Sequence, residues 1–277
     1  MKIKLACVVI LYNPSQEIIT KVIKYGCFFE KVILIDNSKE VITELCNSHK
    51  IEYIPLRKNM GISHALNRGI NRAKELNFDW VILLDQDSIV TADCVNQLCN
   101  TIQSNTDNKI AIVSANYEPY EYPPSTGVES INSVITSGTV LSIKAFEAVG
   151  NFIDEMFIDA VDYEYCYRLI SKGYKILRNN QAIFEHIIGN PTYINGVKCS
   201  NYPAFRYYFI TRNNLIVSKI YKDKFPESMK LRKSIKKYQK SVQYEKDSLR
   251  KQLFILIAKL DYILWLITHK YYCHIKI

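Results

Sequence analysis

Asp85-Gln86-Asp87 places two carboxylates directly after the apolar run Trp80-Val81-Ile82-Leu83-Leu84. Alternation along an extended chain points both carboxylates the same way. Two hard oxygen donors at a strand end suit Mg²⁺ or Mn²⁺, which keeps waters and takes its remaining ligands from a diphosphate. Acidic turns after strands are also common, so this pair alone leaves both readings open. The stretch Asn59-Met60-Gly61-Ile62-Ser63-His64-Ala65-Leu66-Asn67-Arg68-Gly69 opens a helix whose first free amides attract an anion, with donors from Asn67 and Arg68 further on. Equally, Gly61, Ala65 and Gly69 at a spacing of four can pack a helix closely on a sheet. Asp159, Asp162 and Glu164 gather at a helix N-terminus, where acids cap as well as catalyse. Asp162 is the better general-base candidate, because a carboxylate among acidic neighbours can keep a useful pKa. His186 follows a short apolar strand, a place where a lone histidine is more often a turn residue than a ligand. Arg206 and Arg212 stand among Tyr and Phe, which suits a nucleic-acid surface, a diphosphate clamp or aromatic packing with solvated cations.

These residues need elements to position them. Short β-branched runs alternate with helical patterns through the first 120 residues, predicting an α/β fold with a mostly parallel sheet flanked by helices. Strands are expected at 5–11, 31–35, 51–55, 80–84 and 110–114, and helices near 15–25, 41–48, 62–76 and 92–104. Ligands of such sheets bind beyond the carboxyl ends of the strands. The residues there are Tyr12-Asn13-Pro14, Asp36-Asn37-Ser38, Arg57-Lys58-Asn59 and Asp85-Gln86-Asp87, a polar edge. Further on, 117–126 is an irregular proline-rich loop, 135–143 a strand, 144–149 and 162–172 helices, and 174–177 and 182–184 two short strands. From about Phe225 the pattern is helical and basic. This predicts a catalytic domain over 1–221 and a basic helical appendage over 222–277.

The formal net charge of +9 invites a nucleic-acid reading, but its distribution argues against one. Residues 1–197 sum to −4 and residues 198–277 to +13. The eight cysteines are scattered without a CxxC pair, which predicts reduced, buried thiols in a cytosolic protein. The apolar N-terminal run ends in Tyr12-Asn13-Pro14 without a small-residue cleavage site and reads as a buried first strand. No stretch reaches the ~18 apolar residues of a spanning helix; Leu253–Ile267 is too short and carries Lys259 and Asp261.

Taken in order, Tyr12-Asn13-Pro14, Asp36-Asn37-Ser38, Asn59-x-Gly61 through Asn67-x-Gly69, Asp85-Gln86-Asp87, Thr136-Ser137-Gly138, Asp159-x-x-Asp162-x-Glu164 and His186-x-x-Gly189 resemble the family 2 glycosyltransferases. Within the family they are most similar to the rhamnosyltransferase-like branch that builds bacterial surface polysaccharides. The resemblance covers roughly residues 4–215. It implies a GT-A nucleotide-sugar fold and an inverting transferase using Mg²⁺ or Mn²⁺. By that resemblance Tyr12, Asn13, Asp36, Asn37, Asn59, Gly61 and Asn67 lie along the nucleoside. Asp85, with Gln86 beside it, meets the ribose or metal-bound water, and Asp87 coordinates the metal. Ser137 and Gly138 line the sugar site, His186 sits at the metal or diphosphate, and Arg212 steadies the leaving group. Where the family usually has a Glu-Asp pair, this chain has Val161-Asp162; Asp162 is the expected base and Asp159 the second candidate.

The donor expected from the branch is dTDP-L-rhamnose. A UDP-linked galactose, glucose or furanose is the alternative within the class, and a non-catalytic nucleotide-sugar-binding subunit lies outside it. The acceptor is expected to be a saccharide, lipid-linked in such pathways. The basic C-terminal segment, amphipathic over Met229–Tyr238, suits a peripheral position on an anionic cytoplasmic leaflet. The competing role for the same apolar face is packing on the catalytic domain or an oligomer interface.

Overall fold

Every residue of β1 (Leu5–Leu11) is buried, as a strand covered on both faces of a parallel sheet must be. The computed structural model describes residues 3–45, 48–118, 127–185 and 191–276. β1 pairs in parallel with β2 (Lys31–Asp36) on one side and with β4 (Trp80–Asp85) on the other, while β2 pairs in parallel with β3 (Ile51–Pro55). The later strands are β5 (Ile110–Glu118), β6 (Val128–Ser130), β7 (Thr139–Ser142) and β8 (Lys175–Glu185). Together they form an eight-stranded sheet in the order β3-β2-β1-β4-β7-β5-β8-β6. β7 runs antiparallel to β4 and β5, β6 runs antiparallel to β8, and β5 and β8 are parallel. The expected α/β architecture is present, with its parallel half at β1–β4.

The covering helices begin where the sequence offers caps. The Ser15 hydroxyl accepts from the Ile18 amide at the start of α1 (Gln16–Lys24), and the Thr91 hydroxyl accepts from the Cys94 amide before α3 (Ala92–Gln103). α2 (Ile62–Glu75) starts after Gly61, whose φ is 85°. A Cβ at Gly69 would stand 2.4 Å from Val8 Cγ1, so the small-residue reading of this helix holds: Gly69 lets α2 lie close on the sheet. Ser142 caps α4 (Ile143–Val149), and α5 is Val161–Ser171.

Four local expectations change. Of the helix expected over 41–48, the described residues 41–45 form a turn, and the Ile42 amide donates to the Tyr53 hydroxyl instead of entering a helical ladder. The two short strands expected over 174–184 are one, β8, whose register against β5 jumps from Ala115–Asn179 to Asn116–Ile183; that irregularity is what reads as a break in the sequence. The strand expected over 135–143 is confined to β7, because Gly138 at φ 75° turns the chain just before it and Ile143 begins α4. Of the irregular loop expected over 117–126, Tyr117 and Glu118 belong to β5, and 119–126 lie outside the described residues.

The chain divides into two compact units, one of Met1–Phe152 and Tyr165–Ile187 and the other of Ile153–Glu164 and Ile188–Ile277. The first holds the sheet and a core built from β1, β2, β4 and β5 with α1 and α3. The second contains the hairpin of β9 (Thr192–Ile194) and β10 (Val197–Cys199), joined by Asn195-Gly196, both at positive φ. It also contains α6 (Ala204–Tyr221), α7 (Met229–Val242) and α8 (Ser248–Thr268). Leu215 and Ile216 of α6 pack with Ile235 of α7 and with Tyr262 and Trp265 of α8. By compactness α6 therefore goes with the C-terminal helices, not with the sheet to which the 1–221 reading joined it. Among the described residues no helix is long and apolar enough to cross a membrane. Cys7, Cys94, Cys166 and Cys199 are free and buried, as expected, whereas Cys27 and Cys273 are free and exposed.

Candidate active site

Ile10 lies opposite Asp85, Leu11 opposite Asp36, and Asp36 opposite Pro55. The carboxyl ends of β1–β4 therefore finish together, and the turns that follow them form one edge. Of the residues expected there, Tyr12 and Asn13 are exposed, and Asn59, Asp85, Gln86 and Asp87 are half-buried. The Tyr12–Asn13 turn is held from behind. The Gln86 side chain accepts from Tyr12 N at 2.8 Å and donates to Tyr12 O at 3.2 Å. Asn13, at φ 44°, donates its amide to Ser38 Oγ at 2.7 Å.

Asp36 has no exposed surface. Its Oδ1 accepts from the Ser38 amide and hydroxyl, and its Oδ2 accepts from the Tyr53 hydroxyl at 2.7 Å. Burial pushes the Tyr53 phenol up to about 12, with the Ile42 amide opposing and Asp36 reinforcing the shift. Asn37 donates to Gly61 O and accepts from the Met60 amide, both at 3.0 Å, while Asn59 Oδ1 accepts from the Gly61 amide. Asn67 exchanges two 2.8 Å hydrogen bonds with the backbone of Phe152. Expected along the nucleoside, Asp36, Asn37 and Asn67 are buried and use their polar atoms to shape the loops around that edge. Ser38, named in the sequence only as part of the polar edge, and Tyr53, which was not singled out, belong to this scaffold. The Asp-x-Ser spacing, in which a carboxylate reaches the amide two residues on, was the available signal for Ser38.

Ser137 is buried, accepts from the Asp85 amide at 3.0 Å and shares a 2.7 Å hydrogen bond with Ser88 Oγ. Beside it the Gly138 amide donates to Leu83 O. Ser137 thus sets where β4 releases the chain into Asp85-Gln86-Asp87. No group of three or more His, Cys, Asp or Glu that could hold a metal occurs among the described residues, and His186 lies outside them. Two half-buried carboxylates on one strand end nevertheless fit Mg²⁺ or Mn²⁺, ions commonly bound through one or two carboxylates and substrate phosphates. Lys21 of α1, which the sequence reading passed over, lies within electrostatic reach of Asp87; burial lowers its amine pKa while Asp87 and Glu17 oppose that shift.

The remaining candidates lie in the second unit. Asp162 is half-buried in the first turn of α5, and its Oδ1 accepts from the Tyr163 amide at 2.9 Å. Asp159 is bound by Arg206, whose Nε lies 3.1 Å from Oδ2. Burial raises the Asp159 carboxyl pKa against the pull of the guanidinium. Arg212 is 1% exposed. It donates to Tyr272 O at 2.6 Å, to Glu155 O at 2.5 Å and to Asn213 Oδ1. The arginine expected at the leaving group is therefore an interior residue holding backbone carbonyls of its own unit, and Asp159 is an ion-pair partner. Neither pattern is visible in residue types, because both depend on what α6 packs against.

The family model described as Glycosyl transferase family 2 matches residues 7–158. Over 242 residues the chain is 26% identical to a dTDP-rhamnosyl transferase, RfbF, of Shigella flexneri, a match covering 78% of this chain and 80% of that one. Among solved structures, GalNAc-T7 with UDP, GalNAc and Mn²⁺ is similar with a TM-score of 0.54 at 13% identity, covering 87% of this chain. The chain spans only 57% of that protein. Residues 1–349 of S. aureus TarS are similar with a TM-score of 0.53 at 12% identity, covering 98% of this chain and 93% of that one. Such structural likeness carries the GT-A fold. The family match over more than half the chain carries the activity class: this chain is a glycosyltransferase and belongs to glycosyl transferase family 2.

Proposed function

We propose that the chain is an inverting, Mg²⁺- or Mn²⁺-dependent transferase that moves L-rhamnose from dTDP-L-rhamnose to a hydroxyl of a growing, lipid-linked bacterial surface polysaccharide. The geometry that supports transfer is the convergence of Tyr12, Asn13, Asn59, Asp85 and Asp87 on the carboxyl edge of β1–β4. The observation that carries the sugar is the similarity to a dTDP-rhamnosyl transferase along most of both chains. Tyr12, Asn13 and Asn59 would contact the nucleoside, Asp85 the ribose, and Ser137 and Gly138 the sugar end. Asp85 and Asp87 would hold the divalent ion, with His186 a third donor; when bound, the ion supplies positive charge to the diphosphate.

Asp162 takes the proton of the acceptor hydroxyl as that oxygen bonds to the anomeric carbon. The bond from that carbon to the diphosphate oxygen breaks in the same displacement, so configuration inverts and nucleoside diphosphate leaves. Purified protein given Mn²⁺ and a panel of dTDP- and UDP-sugars should release nucleoside diphosphate from dTDP-L-rhamnose. Full turnover by both Asp87→Ala and Asp162→Ala would rule out the site.

A peripheral position on an anionic cytoplasmic membrane is part of this proposal. Leu249, Leu253, Leu256, Leu260, Ile263 and Ile267 are all exposed on α8 at helical spacing. Lys230, Arg232, Lys233, Lys236, Lys237 and Lys240 are exposed on α7. Apolar insertion with basic flanks is the chemistry of an interfacial helix pair.

A further inference from the structure

Phe157, Asp159 and Ala160 have φ values of 63°, 65° and 59°, a region that residues with a Cβ rarely occupy. Three such residues within four persist only where surrounding groups hold them. Here one side chain reaches three carbonyls of the segment. Asn213 Nδ2 lies 2.8 Å from Met156 O, 2.9 Å from Ile158 O and 3.0 Å from Asp159 O. Its Oδ1 accepts from Arg212 Nε at 3.0 Å and Nη2 at 2.9 Å. That fixes the amide's sense, because a flip would set Oδ1 against three carbonyl oxygens and the NH₂ against a guanidinium. Arg212 also binds Glu155 O, and Arg206, two turns earlier on α6, binds the Asp159 carboxylate. The chain leaves this turn into α5 at Val161, one residue before Asp162.

We infer that Asn213, oriented by Arg212, is a positioning residue: it holds the left-handed turn Phe157–Ala160 and thereby sets where Asp162 stands. The inference rests on the reading of Asp162 as the base. A turn serving only to reverse the chain would be met by glycine without strain. Phe, Asp and Ala stand in its place, and two α6 side chains hold the segment by its carbonyls, Arg212 at Glu155 and Asn213 at Met156, Ile158 and Asp159, which gives the entry to α5 one conformation.

The test uses the full chain, dTDP-L-rhamnose or whichever donor the wild type turns over, Mn²⁺ and an acceptor. Asn213→Asp keeps the side chain's size and its bonds from Arg212 but removes the donors to the three carbonyls. The expected result is a fall in kcat of about 100-fold, as for a displaced reacting group, with donor KM within about twofold and an altered acid limb of the kcat–pH profile. Arg212→Lys, which keeps the charge but loses the two parallel donors, is expected to move the same quantities the same way and covers the case in which Asn213→Asp does not fold. Wild-type kcat and pH profile in the folded variants, with Asp162→Asn inactive, would overturn the positioning role and leave the base reading standing. Full turnover by Asp162→Asn would overturn both.

Discussion

The side-chain amide of Gln86 meets both backbone polar groups of Tyr12, accepting from its N–H and donating to its C=O. One side chain thereby ties the turn after β1 to the turn after β4, although the residues are 74 apart in sequence. Gln86, expected as a donor-binding residue, braces the turn that carries Tyr12, which is proposed to contact the nucleoside.

Removing that brace should weaken donor binding more than chemistry. Each of these exposed hydrogen bonds is worth about 0.5–1.5 kcal/mol, so Gln86→Ala should raise donor KM by about tenfold and leave kcat within about threefold. Initial-rate kinetics with varied donor check this; an unchanged KM would mean that Tyr12 needs no support.

Asp162→Asn keeps the shape of the first turn of α5 but cannot take a proton. A positioned general base contributes about 10²- to 10⁴-fold, so kcat should fall in that range while calorimetry shows unchanged donor affinity.

Glu245 and Lys251 form a buried pair at 2.9 Å, with Tyr207 donating to the same carboxylate. Burial alone would raise the Glu245 pKa, but the bonds from Lys251 and Tyr207 outweigh it and hold the carboxyl below its ordinary value. An acid held low in the folded state stabilises above its unfolded pKa and loses that contribution as pH falls through its folded one. Glu245→Gln strands a buried ammonium, so it should cost about 3 kcal/mol near neutral pH. The gap from wild type should narrow below about pH 4.5, the ordinary glutamate value. Thermal melts across pH read both effects.

The ridge on α8 makes a membrane prediction. Leu253→Ser with Leu256→Ser and Leu260→Ser removes apolar surface that is already about half exposed, so folding should survive. Co-sedimentation with vesicles containing anionic lipid should drop at least tenfold, and binding of the wild type should weaken with added salt. Equal pelleting of wild type and variant would remove the membrane role; a variant that turns from dimer to monomer would assign the ridge to a second copy.

Much of this was legible in the residues themselves. Uninterrupted apolar runs ending in Tyr12-Asn13, Asp36-Asn37 and Asp85-Gln86-Asp87 determine a sheet with a polar carboxyl edge, because burial on both faces is written in a continuous apolar run and strand termination in turn chemistry. The segregation of charge to residues 198–277 is equally local. What tertiary structure decided is which polar residues face outward. Asp36, Asn37 and Asn67 are the same residue types as Asn13, Asn59 and Asp85, yet buried loop amides, hydroxyls and carbonyls claim them. Arg212 reads as a surface cation and lies inside, because Glu155 and Tyr272 bring carbonyls to it from 57 and 60 residues away. A side chain's type states which bonds it can make, and only the fold states which partners reach it first.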